Sequence, residues 1–495
     1  MINQKENQDN LANTTPSVSQ SRRDFLRKTA LGAASLLIVP RHVLGGNGYI
    51  APSDKLNIAC IGVGGKGSSD SLNAWREGAN NIVALCDVDD RMATKVREKL
   101  PKAAYYRDFR KLLDKEAKNI DAVTISTPDH THFHATMAAM QLGKHVYVQK
   151  PLTHSIWEAR QLTEAARKYK VVTQMGNQGA SGEGVRKMQE WYQGGLIGEV
   201  TRILCWTNRP VWPQGLAFPK GKHDVPKEVD WDLWLGPAPF HDFQPSLIPF
   251  NWRGFWDFGT GALGDMGCHI IEPAYKTLGL GYPSEVECSV GSVWEGMFKE
   301  SYIPESCPAS SVVHLKFPRE GKAPVKLSWY DGGILPERPD LLPADVQLGG
   351  WTGGGGGLIL VGERGLIMAG VYAENPRLYP EFLNEIADKM PKTVARVEHD
   401  PKNRDLNHNM DWQAACKKGF GNHTPLSSGF DYAGPLTEAV LMGNLAIRSY
   451  WHKEKVKDKD EFTGRKKLLW DGKNMRITNY EPANQFVKRD YRKGW

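Results

Sequence analysis

From residue 56 to about residue 176 the chain alternates short, continuous apolar runs with longer segments whose apolar residues recur at helical spacing. "KLNIACIG" is the first such run, and beyond a glycine-rich turn the pattern through Leu72 and Trp75 is helical. "NIVALCD", "IDAVTIST", "KHVYVQKP" and "VVTQMG" repeat the motif, and helices are predicted over 135–142 and 156–169. Short apolar runs without polar alternation suit strands covered on both faces, so these five predict a doubly wound parallel sheet. Right-handed crossovers then place every strand's carboxyl end on one edge. After residue 176 the pattern changes: tryptophan, proline and glycine crowd into "WTNRPVWPQG", "WDLWLGPAP" and "NWRGFWDFGTGALGDMG". "SEVECSVGSVW", "SVVHLKF" and "VKLSWY" follow as candidate strands of a mostly antiparallel sheet. "LGGWTGGGGGLILVGERGLIMAG" reads as a loop feeding a hairpin, since glycine supplies the positive backbone angles of tight turns. The change of pattern divides the chain into an N-terminal domain over 53–176 and a second α/β domain over 177–495.

Length agrees with that division, because 495 residues exceed what one ordinary core holds. The net charge is +7, and +3 of it lies in residues 1–45, so the remainder gives no footprint for nucleic acid. Within 1–45, "SRRDFLRKTALGAASLLIVP" sets Arg22–Arg23 ahead of Phe25–Leu26 and an apolar run too short to span a bilayer. That order resembles a twin-arginine export signal, which implies passage through the twin-arginine machinery to the periplasm. No later run is long enough to predict a membrane span. The seven cysteines are scattered, odd in number and never spaced C-x-x-C, which argues against a zinc site, and Cys60 and Cys86 fall in core strands.

Candidate chemistry gathers at the predicted strand ends. Gly62, Gly64 and Gly67 form G-x-G-x-x-G between a strand and a helix, and Asp87 ends the next strand. The glycines (with Val63, Gly65 and Lys66 between them) allow a tight turn, close backbone approach to a pyrophosphate, and close helix packing. The helix N-terminus faces the phosphates with unpaired N–H groups. Asp87 is placed to accept from a ribose and to repel a 2′-phosphate, which favours NAD over NADP, although Lys66 is a basic residue in the same loop. In "STPDHTHFH", Thr127, Pro128 and His132 are expected to line the cofactor cleft. His130 and His134 lack the glutamate of a zinc helix, and no metal is expected. Lys150 closes an apolar strand and is held by the proline that follows it.

The glycine turn, "TPDHTH", "GKHVYVQKP" and "GDMGCH" together resemble the glucose–fructose oxidoreductase / inositol dehydrogenase / MocA family, over essentially the whole chain after residue 55. "WTNRPVWPQG", "FDYAGPLTEAVLMGNLAIR" and the terminal "YRKGW" resemble its exported branch. The resemblance implies an N-terminal Rossmann domain and a C-terminal α/β domain whose large, open sheet serves oligomerisation. It also implies a tightly held NAD, a homo-oligomer, and sugar or cyclitol substrates. Lys150 matches the lysine of the family's E-K-P, with Gln149 in place of the glutamate, and implies a group that hydrogen-bonds the reacting hydroxyl beside the nicotinamide. Asp265 and His269 match its D-x-x-x-H pair, and four residues apart on a helix they share a face. His269 is then the acid/base, with Asp265 as substrate ligand and partner. Asn177, Gln178, Trp206, Asn208, Arg209 and Glu272 are candidates for the sugar pocket. Three activities are compatible with these residues: a dehydrogenase of a sugar hydroxyl, a redox-neutral glycosidase that oxidises, eliminates, hydrates and reduces, and a sugar-binding protein that keeps its cofactor.

Overall fold

A computed structural model of the protein describes residues 51, 54–348, 355–396 and 403–495. The predicted export signal over 1–45 lies outside the described residues, as does part of the glycine run over 349–354. From Lys55 to Trp495 the chain forms one compact unit.

Its first part is a six-stranded parallel sheet built from β1 (Asn57–Ile61), β2 (Asn81–Cys86), β3 (Ala104–Tyr106), β4 (Ala122–Ile125), β5 (His145–Val148) and β6 (Thr173–Met175). The spatial order is β3-β2-β1-β4-β5-β6. That order reverses direction between β1 and β4, which opens a crevice at their carboxyl ends. Helices α1 (Lys66–Trp75), α2 (Asp90–Lys99), α3 (Phe109–Glu116), α4 (His132–Gln141) and α5 (Ile156–Tyr169) make the crossovers. Five of the strands are those the apolar runs predict. The sixth, β3, is a three-residue edge strand with no fully buried position, too short and too mixed to stand out in the sequence. Helix α4 begins at His132 rather than Ala135, because a 3-10 turn over Asp129–Thr131 leads straight into it.

The second part carries a nine-stranded mixed sheet. Its strands are β7 (Val200–Trp206), β8 (Glu285–Val290), β11 (Ser311–Arg319), β12 (Lys322–Tyr330), β13 (Gly357–Gly362), β14 (Leu366–Gly370), β15 (Arg377–Tyr379), β18 (Leu468–Asp471) and β19 (Arg476–Ile477). Two-stranded ribbons, β9–β10 (Trp294–Gly296, Lys299–Glu300) and β16–β17 (Lys453–Val456, Lys459–Phe462), stand apart from it. The order is β15-β14-β13-β7-β12-β11-β8-β18-β19, with β7–β12 its one parallel pair. The predicted hairpin is β13–β14, pairing Val361 with Leu366 across the turn.

The later helices are α6 (Glu183–Gln193), α7 (Trp231–Leu235), α8 (Gly261–Ile270), α9 (Glu272–Leu278), α10 (Phe382–Ala387), α11 (Arg404–Lys418) and α12 (Phe430–Tyr450); α12 packs on α5 and on β8 of the second sheet, and α10 on β15. Trp412, Ala415 and Cys416 of α11 share a core with Ile58, Cys60 and Leu85 of the parallel sheet. Arg160 of α5 is paired with Glu438 of α12 at 2.7 Å. A segment more than 200 residues past the predicted boundary thus completes the N-terminal domain's packing. Among the described residues, no helix is long and apolar enough to cross a membrane.

Candidate active site

A cavity of ≈ 710 Å³ runs along the carboxyl edge of the parallel sheet, in the size range of small-molecule sites. Gly62, Gly64, Gly65, Lys66, Asp87, Thr127, Pro128, Gln149, Lys150, Gln178, Arg209, Asp265 and His269 all line it. Sequence motifs more than 200 residues apart therefore meet in one cleft.

One end is the glycine turn between β1 and α1. Gly62 has φ +76°, and a Cβ there would lie 2.8 Å from the Ser126 carbonyl. A Cβ on Gly67 would lie 1.9 Å from the Gly62 oxygen, so α1 packs as close to the turn as backbone allows. The first turn of α1 has no side-chain cap and no acidic residue; the Gly67 and Ser68 N–H groups donate to the Gly64 and Gly65 carbonyls at 2.8 and 3.2 Å, and the positive end of the helix dipole remains open to an anion. Asp87 Oδ2 accepts from the Val63 and Gly64 N–H groups at 2.8 and 3.0 Å, and Oδ1 from Asp89 at 3.0 Å. Burial pushes the Asp87 carboxyl up to about 6, against the pull of those three N–H groups. Lys66 does not turn toward a 2′-phosphate: its Nζ lies 2.7 Å from Asp70 and 3.1 Å from Asp405. The uncapped helix end, the side-chain-free turn and the carboxylate beside it fit NAD.

The other end joins β5 to α8. Lys150 Nζ donates to Asp265 Oδ1 at 2.8 Å and to the Asp265 carbonyl at 2.7 Å. Arg253 Nε reaches the same Oδ1 at 3.4 Å, and Arg209 Nε lies 4.0 Å from Oδ2. Burial raises the Asp265 carboxyl, but Lys150 and Arg253 outweigh it and hold it down at about 2. His269 is buried, and its Nδ1 has no hydrogen-bond partner among the described residues. Burial first, then the Lys150 charge, pushes its pKa well below 6.5, so the ring is neutral. The expected Asp265–His269 partnership is corrected here: the shared helix face is real, but Lys150 and Arg253 draw the carboxylate away from the imidazole. The Tyr372 ring, 4.5 Å from that of His269, packs on it instead.

Other expectations also change. His132 does not line the cleft; its ring nitrogens contact the Pro151 and Thr127 carbonyls, each at 2.8 Å, tying the loop after β4 to the residue that follows Lys150. Trp206 is wholly buried on β7 among Leu204, Ile359 and Met368. Asn177 is buried outside the cavity wall. Glu272 is buried outside it too, where Lys276 and the Tyr432 hydroxyl reach its carboxylate at 3.0 and 3.1 Å. Several cleft residues had no signal in the sequence, chiefly Arg253, Phe250, Tyr372 and Arg404. Arg253 stands inside the quoted "NWRGFWDFG", where the tryptophans around it dominate the pattern. Among the described residues, no three His, Cys, Asp or Glu side chains are grouped to hold a metal.

Sheet order, glycine turn and paired carboxylate define a dinucleotide-binding α/β protein. A family model described as "Oxidoreductase family, NAD-binding Rossmann fold" matches residues 56–177, and one described as "Oxidoreductase family, C-terminal alpha/beta domain" matches 199–293. Both models are of the glucose–fructose oxidoreductase / inositol dehydrogenase / MocA family, so residues 56–177 match its NAD-binding domain and residues 199–293 its C-terminal domain. The chain is 26% identical over 163 residues to a myo-inositol 2-dehydrogenase of Thermotoga maritima, covering 33% of this chain and 48% of that one. It is 31% identical over 151 residues to an alpha-N-acetylgalactosaminidase of Shewanella oneidensis, covering 28% and 32%. The chain thus spans between a third and a half of the length of these curated relatives. The fold is that of the WlbA dehydrogenase of Bordetella pertussis, solved with NADH and UDP-GlcNAcA: TM-score 0.51, 15% identity, covering 79% of this chain and 95% of that one.

Proposed function

We propose that the protein is an NAD-dependent oxidoreductase acting on a CH–OH group of a sugar or glycoside, with Lys150, Asp265 and His269 at the reacting carbon. The observation that carries this reading is the meeting of Lys150, Asp265 and His269 in the cleft that the glycine turn enters. Kinship with a myo-inositol dehydrogenase supports a polyhydroxylated substrate. When bound, NAD supplies the hydride acceptor. Lys150 donates an N–H to the substrate hydroxyl oxygen, and Asp265, ionised at any working pH, holds the Lys150 amine in place. The hydroxyl proton needs an acceptor as negative charge builds on that oxygen, and the neutral His269 ring supplies it. Cleft walls of Phe250, Trp252 and Tyr372 exclude water from the exchange.

The test is single-turnover reduction of NAD-saturated protein by a panel of cyclitols, free sugars and glycosides, read by the absorbance of reduced nicotinamide. Lys150→Ala and His269→Ala are each expected to slow it on the order of 10²–10⁴-fold with NAD still bound, and to combine far from additively. Because His269 is held neutral, the acid limb of the rate falls below pH 6.5. A wild-type rate in either variant sinks the assignment. Aglycone release with no net cofactor reduction would mark the redox-neutral glycosidase instead. Export through the twin-arginine machinery to the periplasm and self-association belong to the same proposal, supported by "SRRDFLRKTALGAASLLIVP" and by the large second sheet.

A further inference from the structure

Around Asp265 the cleft wall carries more positive than negative charge. Lys150, Arg209 and Arg253 converge on this one carboxylate at 2.8, 4.0 and 3.4 Å, and only the first is a close ion pair. Asp129, the other carboxylate on this stretch of wall, is buried behind Thr260, whose hydroxyl donates to it at 2.6 Å. It offsets at most one of the two surplus charges. Among the described residues no second carboxylate lies within ion-pair distance of either arginine.

Both arginines are also held with donors to spare. The Arg253 guanidinium lies 4.3 and 4.2 Å from the ring centres of Phe250 and Trp252, and its Nη1 donates to the Phe250 carbonyl at 3.1 Å. Rings flanking a guanidinium restrict its plane while its N–H edge stays available. Arg209 Nη1 donates to the neutral Asn208 side chain at 3.0 Å. A positive surplus in a partly dry cleft is costly unless an anion shares it, and two guanidinium forks suit a planar or tetrahedral oxyanion. Lys150 and His269 meanwhile remain available to a neutral hydroxyl a few ångströms away.

We propose that the substrate is an anionic sugar, one bearing a carboxylate, sulfate or phosphate group that Arg209 and Arg253 grip while the reacting hydroxyl sits at Lys150 and His269. This rests on the sugar-oxidoreductase reading of the same cleft.

The test is calorimetric titration of the NAD-saturated protein with neutral glucosides, galactosides and mannosides and with their uronic acid, 6-sulfate and 6-phosphate counterparts, at low and high salt. At least one anionic member is expected to bind about tenfold or more tightly than its neutral parent, with the margin shrinking as salt rises. Which counterpart binds best identifies the oxyanion. Arg209→Gln and Arg253→Gln should each cut the preference on the order of 10-fold or more, and Arg253→Lys should restore part of it. The proposal is overturned if no anionic member outbinds its parent, or if the preference survives in both glutamine variants. Should the variants not fold, the wild-type ranking and its salt dependence decide. Hydride transfer from neutral sugars without anionic preference removes this inference and leaves the oxidoreductase standing. Anionic preference without hydride transfer from any sugar does the reverse.

Discussion

Lys150 keeps a carboxylate partner even though Gln149 stands where the family has glutamate. Gln149 Nε2 donates to Asp70 Oδ2 at 2.8 Å, and Ser126 Oγ donates to the same oxygen at 2.8 Å. A glutamate at 149 would set a second carboxylate against a 2 %-exposed Asp70. Glutamine fits because Asp70 already fills the acidic place, and Asp265 takes over the balancing of Lys150. Gln149→Glu should therefore cost about 1–3 kcal/mol by turning a donor into an acceptor that faces an acceptor. The introduced carboxyl would have its pKa raised by Asp70, so its penalty grows as pH rises through that value. Chemical denaturation is expected to show the variant losing more stability relative to wild type at pH 8 than at pH 5. An equal difference at both would remove the Asp70 argument. At the same scale, the Asp265 ion pair contributes stability above the ordinary carboxyl value of 3.8 and loses it as pH falls through about 2.

Among the elements, two turns decide where the chemistry sits. In the turn between β1 and α1, Gly67→Ala drives a methyl into the Gly62 carbonyl, a backbone atom that cannot rotate away. Overpacking of this kind costs about 1–3 kcal/mol and pushes α1 off the turn. The expected result is a lowered melting temperature together with a loss of the stabilisation that saturating NAD gives the wild type. Gly281→Ala, where an added Cβ meets nothing within 4 Å, is the matched control and should melt as the wild type does. The second turn follows β14, where Tyr372 and Ala373 have φ 64° and 57°, a left-handed pair that is costly without glycine. Gly179 and Gly184 make room for it, since a Cβ on Gly184 would lie 1.8 Å from the Ala373 carbonyl. Arg404 packs over the Tyr372 ring at 3.9 Å and Tyr372 over His269, so the strained turn sets one wall of the cleft.

At the scale of the whole molecule, the parallel sheet depends on residues from the far end of the chain. Trp412 is fully buried in the core shared with β1 and β2. Trp412→Ala should cost about 3–5 kcal/mol and lower the transition of the N-terminal sheet together with that of the second sheet. Two separated transitions, with only the later one shifted, would contradict a shared core. Delivery is tested on the same scale. With Arg22 and Arg23 both changed to lysine, folded precursor should accumulate in the cytoplasm, as cell fractionation would show. Its unaltered appearance in the periplasm would remove the export proposal.

The alternation of short apolar runs and helical periods by itself determined the parallel sheet, because strands buried on both faces need unbroken apolar side chains wherever they sit. The G-x-G-x-x-G turn was legible for a similar reason, since a φ of +76° at Gly62 and a 1.9 Å approach at Gly67 are local demands that only glycine meets. Lys150, Asp265 and His269 were legible as residue types at set places, through their family pattern. Their pairings were not. Asp265 and His269 are four apart on one helix, yet the nearer cations are Lys150 and Arg253, which only the packing of α8 against the end of β5 brings within reach. Strand β7 passed unseen although it is central to the second sheet: Thr201 and Arg202 are exposed and the next four residues all buried, so no two-residue period marks it. Tertiary structure alone decided that Trp206 and Glu272 serve the core, that Arg209 and Arg253 share one carboxylate, and that Trp412 belongs with Ile58. Each depends on contacts between residues far apart in sequence, and those distances are set by how sheets and helices stack.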